Sequence, residues 1–147
     1  MVASDAPTLR HELVSIIDGP DVTTYQAVSG PAAIAAVREH DPDLLVVDMQ
    51  MSNMGGMAVC LELRLQETYL DVDHVPVLML LDRRPDVFLA RRSGAEGWLV
   101  KPIDPLRLRR ACRALADGGT YEDDSYQPDP VLVGRPAPLE PRGLPEA

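Results

Sequence analysis

The strongest constraint on this chain is an alternation. Short apolar runs rich in β-branched residues are separated by stretches whose apolar residues recur at helical spacing. The runs fall at residues 22–28, 44–47, 77–81 and 98–100, with a two-residue fifth, Val2-Ala3, at the start. Between them, Leu9, Leu13, Ile16 and Ile17 share one helical face, and Ser29 is placed to cap a helix over 31–40. A third helix is expected over 56–67, with Met57, Cys60, Leu61 and Leu65 inward. Pro85 and Pro105 stand where a first helical turn tolerates proline, so they open a fourth and a fifth. In the fifth, Leu108, Ala111, Cys112 and Leu115 form one apolar stripe, leaving Arg107, Arg109, Arg110 and Arg113 for solvent. Strands alternating with helices imply a parallel sheet covered on both faces. The predicted fold is therefore α/β: a doubly wound (βα)5 domain with a five-stranded parallel sheet whose first strand is short.

The periodic pattern stops at Gly118-Gly119, which places a domain at residues 1–118 and a tail at 119–147. The tail carries six prolines between Pro128 and Pro145, acidic residues and few aliphatics. That composition offers too little apolar area to offset the entropy of ordering, so disorder is expected. No apolar run approaches the ~18 residues of a membrane span, and no secretory leader is visible, so the expected location is the cytoplasm. Cys60 and Cys112 show no paired spacing, which suggests buried thiols rather than a zinc or disulfide framework.

The formal net charge of −9 counts against direct nucleic-acid binding, which needs a positive field. Yet residues 83–113 hold nine Lys or Arg against three acids. If the fourth and fifth helices lie side by side, Arg83, Arg84, Arg91, Arg92, Arg107, Arg109, Arg110 and Arg113 merge into one basic face. His11, His40 and His74 have no ligand spacing and read as surface residues.

Ligands of a doubly wound sheet gather outside the carboxyl ends of its strands. Those ends present Asp5, Asp48, Leu81 with Asp82, and Lys101. A strand-end carboxylate such as Asp48 can attack a phosphoryl group, given charge neutralisation from an ammonium group and a magnesium ion. Phosphatases and dehalogenases of the haloacid type also use a strand-end Asp, but they need a second acid two residues on, where this chain has Gln50.

Two segments carry a resemblance. Residues 48–56 read Asp-Met-Gln-Met-Ser-Asn-Met-Gly-Gly, and residues 94–102 read Gly-Ala-Glu-Gly-Trp-Leu-Val-Lys-Pro. Together they resemble the receiver domain of two-component response regulators, over about residues 2–116. The resemblance implies a flavodoxin-like receiver fold and a non-enzymatic signalling role, with Asp48 as phosphoacceptor and Lys101 as phosphate contact. It implies magnesium held by Asp5, Asp48 and the Gln50 carbonyl, switch positions at Leu81 and Trp98, and a cis peptide before Pro102. A histidine kinase or phosphotransfer protein is the implied donor. The basic face would meet a downstream protein or a second copy in a homodimer, with no DNA-binding output domain expected.

Three positions depart from the family pattern. Ser4-Asp5 stands in place of an acidic pair, Leu81 followed by Asp82 replaces the switch hydroxyl and its small neighbour, and Ser52 replaces a proline. Leucine cannot donate to a phosphate oxygen. The alternative reading is a pseudo-receiver, an interaction module that works without phosphorylation.

Overall fold

The computed structural model describes residues 1–125. In chain order the elements are β1 (Val2–Ala3), α1 (Pro7–Ile17), β2 (Gln26–Ala27), α2 (Gly30–His40), β3 (Leu45–Asp48), α3 (Gly56–Leu70) and β4 (Val77–Leu81). A 3-10 turn at Arg84–Asp86 leads into α4 (Val87–Ser93), followed by β5 (Gly97–Val100), α5 (Pro105–Ala116) and β6 (Tyr121–Glu122). The strands pair in parallel, in the order β2-β1-β3-β4-β5-β6.

Side chains alternate across the sheet and build two cores. Leu45, Val47, Val77, Met79, Leu81 and Trp98 pack with α2, α3 and α4. Val46, Leu78, Leu80 and Leu99 pack on the other face with Leu13 and Ile16 of α1 and Leu108, Ala111 and Leu115 of α5. Burial on both faces explains why β3 and β4 read as continuous apolar runs rather than alternating ones. Each fully buried Leu contributes about 1.5–3 kcal/mol. All six methionines of the chain belong to, or pack against, the α2–α3–α4 core.

Local signals set the helix ends. The Ser29 hydroxyl accepts from the Ala32 N–H at 3.2 Å, and Asp104 Oδ1 accepts from the Arg107 N–H at 2.8 Å just ahead of Pro105. Gly94 closes α4 at φ 79°, a left-handed conformation that costs glycine little. Both thiols are free; burial pushes Cys60 up and carries Cys112 to about 11. Among the described residues no helix is long and apolar enough to cross a membrane.

The structure corrects several expectations. The run at 22–28 supplies only Gln26–Ala27 as strand, because its partner β1 is itself two residues long and leaves nothing further to pair; Val22 and Val28 are exposed. Leu61 and Leu65 also face solvent, since α3 buries Val59, Cys60, Leu63 and Gln66 instead. Helix α4 begins at Val87, because Pro85 falls within the preceding 3-10 turn.

Order does not stop at Gly119. Tyr121–Glu122 add a sixth strand at the free edge of β5, where unpaired backbone groups offered bonds that composition could not reveal. Residues 126–147, the rest of the tail for which disorder was expected, lie outside the described residues.

The site where β6 meets β5 is tight. A Cβ on Gly97 would stand 2.7 Å from the Tyr121 carbonyl oxygen and 3.1 Å from Leu115 Cδ1. Gly97→Ala is therefore expected to cost about 1–3 kcal/mol by overpacking, read as a lower midpoint in urea denaturation. An unchanged midpoint would mean that β6 does not sit against Gly97.

Candidate functional site

Parallel pairing brings four strand ends to one rim of the sheet. Ala3 lies opposite Val47, Asp48 opposite Leu80, and Leu81 opposite Val100. The residues at or just past those ends are Ser4, Asp48, Asp82 and Lys101. The turn after β3 folds back tightly over the strand end. A Cβ on Gly56 would lie 2.7 Å from the Asp48 carbonyl oxygen, so this position has no room for a side chain.

Asp48 is only 2% exposed. A buried carboxylate is costly unless charge and hydrogen bonds meet it. Lys101 Nζ donates to Oδ1 at 2.8 Å, the Gln50 N–H donates to the same oxygen at 3.2 Å, and Ser4 Oγ donates to Oδ2 at 2.9 Å. Lys101 also donates to Asp82 Oδ1 at 3.1 Å. Burial pulls the lysine pKa down, but the bonds and charges of Asp48 and Asp82 outweigh it and hold the ammonium form above its ordinary range. The Lys101-Pro102 peptide is cis, in line with the expectation.

Asp5 is turned elsewhere. Its Oδ2 accepts from both the N–H and the hydroxyl of Ser52 at 2.7 Å, and those bonds hold its carboxyl below the usual range. The N-cap of α1 is Ala6, whose N–H is taken by Ser4 Oγ at 3.1 Å, so Asp5 does not cap that helix. No group of three or more His, Cys, Asp or Glu converges as a metal cluster among the described residues. Asp48 brings one carboxylate to the rim, and magnesium keeps several waters and needs only one or two carboxylates from a protein. Asp5 would have to exchange its Ser52 bonds to join.

Leu81 is fully buried in the α2–α3–α4 core and offers no donor to the rim. Trp98 is 4% exposed and packs in the same core, with the Arg91 guanidinium 5.2 Å from its ring centroid. Its Nε1 is buried without a hydrogen-bond partner.

The eight arginines do not merge into one surface, because α4 and α5 sit on opposite faces of the sheet. Arg91 reaches Glu122 at 3.4 Å and Arg107 reaches Asp123 at 3.6 Å, so these two flank the β5 edge. Arg83 pairs with Asp86 at 3.0 Å, and Arg92 lies 5.5 Å from the Phe88 ring centroid. Arg109 donates to the Ile16 carbonyl and, with Arg113, lines the cleft beside α1.

Sequence reasoning missed three participants. Ser4 reads as a lost acid, yet it donates to Asp48, a contact that follows once Ala3 is placed opposite Val47. Asp82 reads as a substitute for a small residue and instead shares Lys101 with Asp48. Asp123 belongs to an acidic stretch whose charge opposes the arginines of α4 and α5 already in the sequence; what the sequence does not show is its burial, to 3% exposed, which comes from the pairing of β6 with β5.

Comparison with known proteins fits this geometry. The family profile described as the response regulator receiver domain matches residues 1–113. The DNA-binding response regulator MtrA of Mycolicibacterium smegmatis is 34% identical over 116 residues, which cover 78% of this chain and 48% of that protein. The chain thus spans about half the length of the curated relatives it matches. The receiver domain of the putative response regulator NarL from Mycobacterium tuberculosis superposes with a TM-score of 0.70 at 27% identity, covering 80% of this chain and 94% of that one. A LuxR-family response regulator from Aurantimonas sp. SI85-9A1 gives 0.75 at 22% identity, covering 85% and 89%, which speaks to the fold alone.

Ser4→Ala removes the one donor seen on Asp48 Oδ2. Leaving a buried carboxylate oxygen without its bond is expected to cost about 1–3 kcal/mol in urea denaturation at neutral pH. A variant as stable as the parent would show that the Ser4 bond carries no weight.

Proposed function

The chain belongs to the response regulator receiver domain family, and we propose on that premise that it takes a phosphoryl group on Asp48 from a histidine kinase or phosphotransfer protein. The observation that carries this reading is the buried Asp48 carboxylate at the end of β3 with the Lys101 ammonium 2.8 Å away. In the step, an Asp48 oxygen attacks phosphorus and the bond from phosphorus to the donor's imidazole nitrogen breaks. The imidazole leaves with the electron pair and is protonated. Phosphoryl transfer is mainly positioning and charge neutralisation, and Lys101 supplies a point charge where the phosphoryl oxygens arrive. Magnesium, held by Asp48, Asp5 and the Gln50 carbonyl, supplies further neutralisation when bound.

Before transfer, Asp48 has bonds to give up. Lys101 and the Gln50 N–H hold Oδ1, while Ser4 Oγ holds Oδ2. One carboxylate oxygen must leave its donor to reach phosphorus. The neutral Ser4 hydroxyl is the weaker holder, so Oδ2 is the attacking atom in this reading.

The role is signalling in the cytoplasm through protein contact, not turnover of a substrate. The DNA binding named for the mycobacterial relatives is theirs; the net charge of −9 gives this chain no general affinity for phosphate backbones. Its downstream protein, or a second copy in a homodimer, would meet Arg91 of α4 and Arg107 of α5, which flank the β5 edge.

A pseudo-receiver is the second reading, favoured by one group of contacts. Asp5 is engaged by Ser52, Lys101 is divided between Asp48 and Asp82, and Leu81 has no hydroxyl to follow a phosphate. Labelling separates the two. Asp48→Asn is expected to abolish labelling by a small phosphodonor, and Asp5→Ala to lower it at least tenfold at limiting magnesium. Label that persists in Asp48→Asn removes Asp48 as acceptor; a parent chain that takes none favours the pseudo-receiver.

The switch gives a separate expectation. Leu81→Thr combined with Asp82→Ala restores a hydroxyl and frees Lys101 for phosphate. The phosphorylation-dependent change in Trp98 fluorescence should then exceed that of the parent. An equal change at equal phosphorylation would count against the role assigned to Leu81.

A further inference from the structure

Strand β6 is held by means that a longer strand would not need. Beyond the ladder that pairs Gly97 with Tyr121 and Trp98 with Glu122, the Tyr121 N–H donates to the Glu96 carbonyl at 3.1 Å and the Asp123 N–H to the Trp98 carbonyl at 3.2 Å. The next donor on this edge is the Val100 N–H. It is taken by the Asp123 side chain, whose Oδ2 lies 2.9 Å away, while Oδ1 accepts from the Ser125 N–H at 3.0 Å. Arg107 approaches that carboxylate at 3.6 Å, and Arg91 approaches Glu122 at 3.4 Å. One acid is buried and the other lies open to solvent, so the strip reads an extended backbone together with two carboxylates in succession.

Three features mark the strip as one that can be vacated. The strand is two residues long and buries little apolar surface: Tyr121 is half-buried and Glu122 exposed. The Arg91–Glu122 pair joins two exposed side chains, and pairs of that kind contribute little. A pivot precedes it, with Gly118 at φ 85° and open space where its Cβ would be. Gly97, meanwhile, keeps the β5 edge bare enough for a strand to approach closely.

We propose that the β5 edge, flanked by Arg91 and Arg107, is a docking strip for an extended acidic segment of a partner protein, and that residues 121–123 fill it in the unbound chain. The partner adds a parallel strand, places one carboxylate between the Val100 N–H and Arg107, and places an acid one residue earlier against Arg91. This deepens the reading of the α4 and α5 arginines as the partner side and does not depend on phosphate reaching Asp48. The tethered strap competes at high effective concentration, so a free segment binds weakly until the strap is loosened. The strip ends one residue before Lys101, whose N–H is bonded to the Leu81 carbonyl at 2.8 Å, so occupancy of the edge and the rim share a stretch of backbone.

The test uses the full chain without phosphodonor, so a failure of the phosphorylation reading leaves its outcome unaffected. The variant Glu122→Gln with Asp123→Asn neutralises the strap. The probe is a peptide with the sequence of residues 119–125, Gly-Thr-Tyr-Glu-Asp-Asp-Ser. Relative to the parent, the variant is expected to exchange its Val100 amide at least tenfold faster. Added peptide should return the Val100 amide shift and Trp98 fluorescence to the parent values. The parent chain should need at least tenfold more peptide for any change, and a peptide carrying Gln and Asn at the two acids should do nothing. Arg107→Gln, which keeps both strap acids, is the second variant and decides if the first loses its helical circular dichroism. Its Val100 amide should exchange faster than the parent's, and the acidic peptide should fail to slow it. An unchanged Val100 exchange rate in the folded variant, or a peptide that leaves Val100 unmoved, overturns the proposal.

Discussion

A carboxylate buried at the end of a central strand must be met by charge and hydrogen bonds, and that requirement ties the rim of this sheet together. Asp48 draws Ser4 from the end of β1, the Gln50 N–H from its own turn and Lys101 from the end of β5. None of these residues is near another in sequence except Gln50. The parallel register supplies the proximity, and the two cores fix the register, because a slip of one residue would turn every buried side chain of β3 and β4 to the wrong face. The apolar packing of the sheet and the chemistry of its rim are therefore one constraint seen from two ends.

How far the sequence announced this depended on how local each signal was. Continuous apolar runs at β3 and β4, the cap at Ser29 and the helix start at Pro105 are local, and the structure keeps them. The strand at 22–28 shrank because its length is set by its partner and not by its own composition. Leu61 and Leu65 were assigned inward from periodicity alone, but which stripe of α3 is buried depends on where α2 and α4 lie. At the rim, Asp48 and Lys101 stood in recognisable segments, while Ser4, Asp82 and Asp123 acquired their partners only through pairing between strands. Ser4 shows the point most clearly. Its hydroxyl looks like a missing acid in sequence and is a hydrogen-bond donor to Asp48 in space.

The arginines carry a similar lesson about charge. A run of like-signed residues in sequence suggested a single field, but the two helices that bear them lie on opposite faces of the sheet. Arg91 of α4 and Arg107 of α5 flank the thin edge of β5, where two acids of the same chain answer them. Lys101 is divided in the same way between Asp48 and Asp82. In both places a cation is shared with a carboxylate that a sequence motif would not have placed there.

The two cores also differ in what they are made of. The side under α1 and α5 is packed with Leu, Ile, Val and Ala, and the branched shapes of the first three restrict their rotamers. The side under α2, α3 and α4 holds all the methionines, with Met49, Met51 and Met79 buried and Met54 and Met57 packed against them. Thioether side chains are unbranched and polarizable and refill irregular space with little penalty. The sheet thus rests on a firm layer on one face and a deformable one on the other. Met49 and Met51 stand one and three residues after Asp48, so a local rearrangement at the rim is absorbed first by the deformable layer. The same composition makes that layer the chemically vulnerable one. Oxidation of a single buried sulfur would place a polar sulfoxide inside the α2–α3–α4 core, while the core under α1 and α5 has no methionine to oxidise among the described residues.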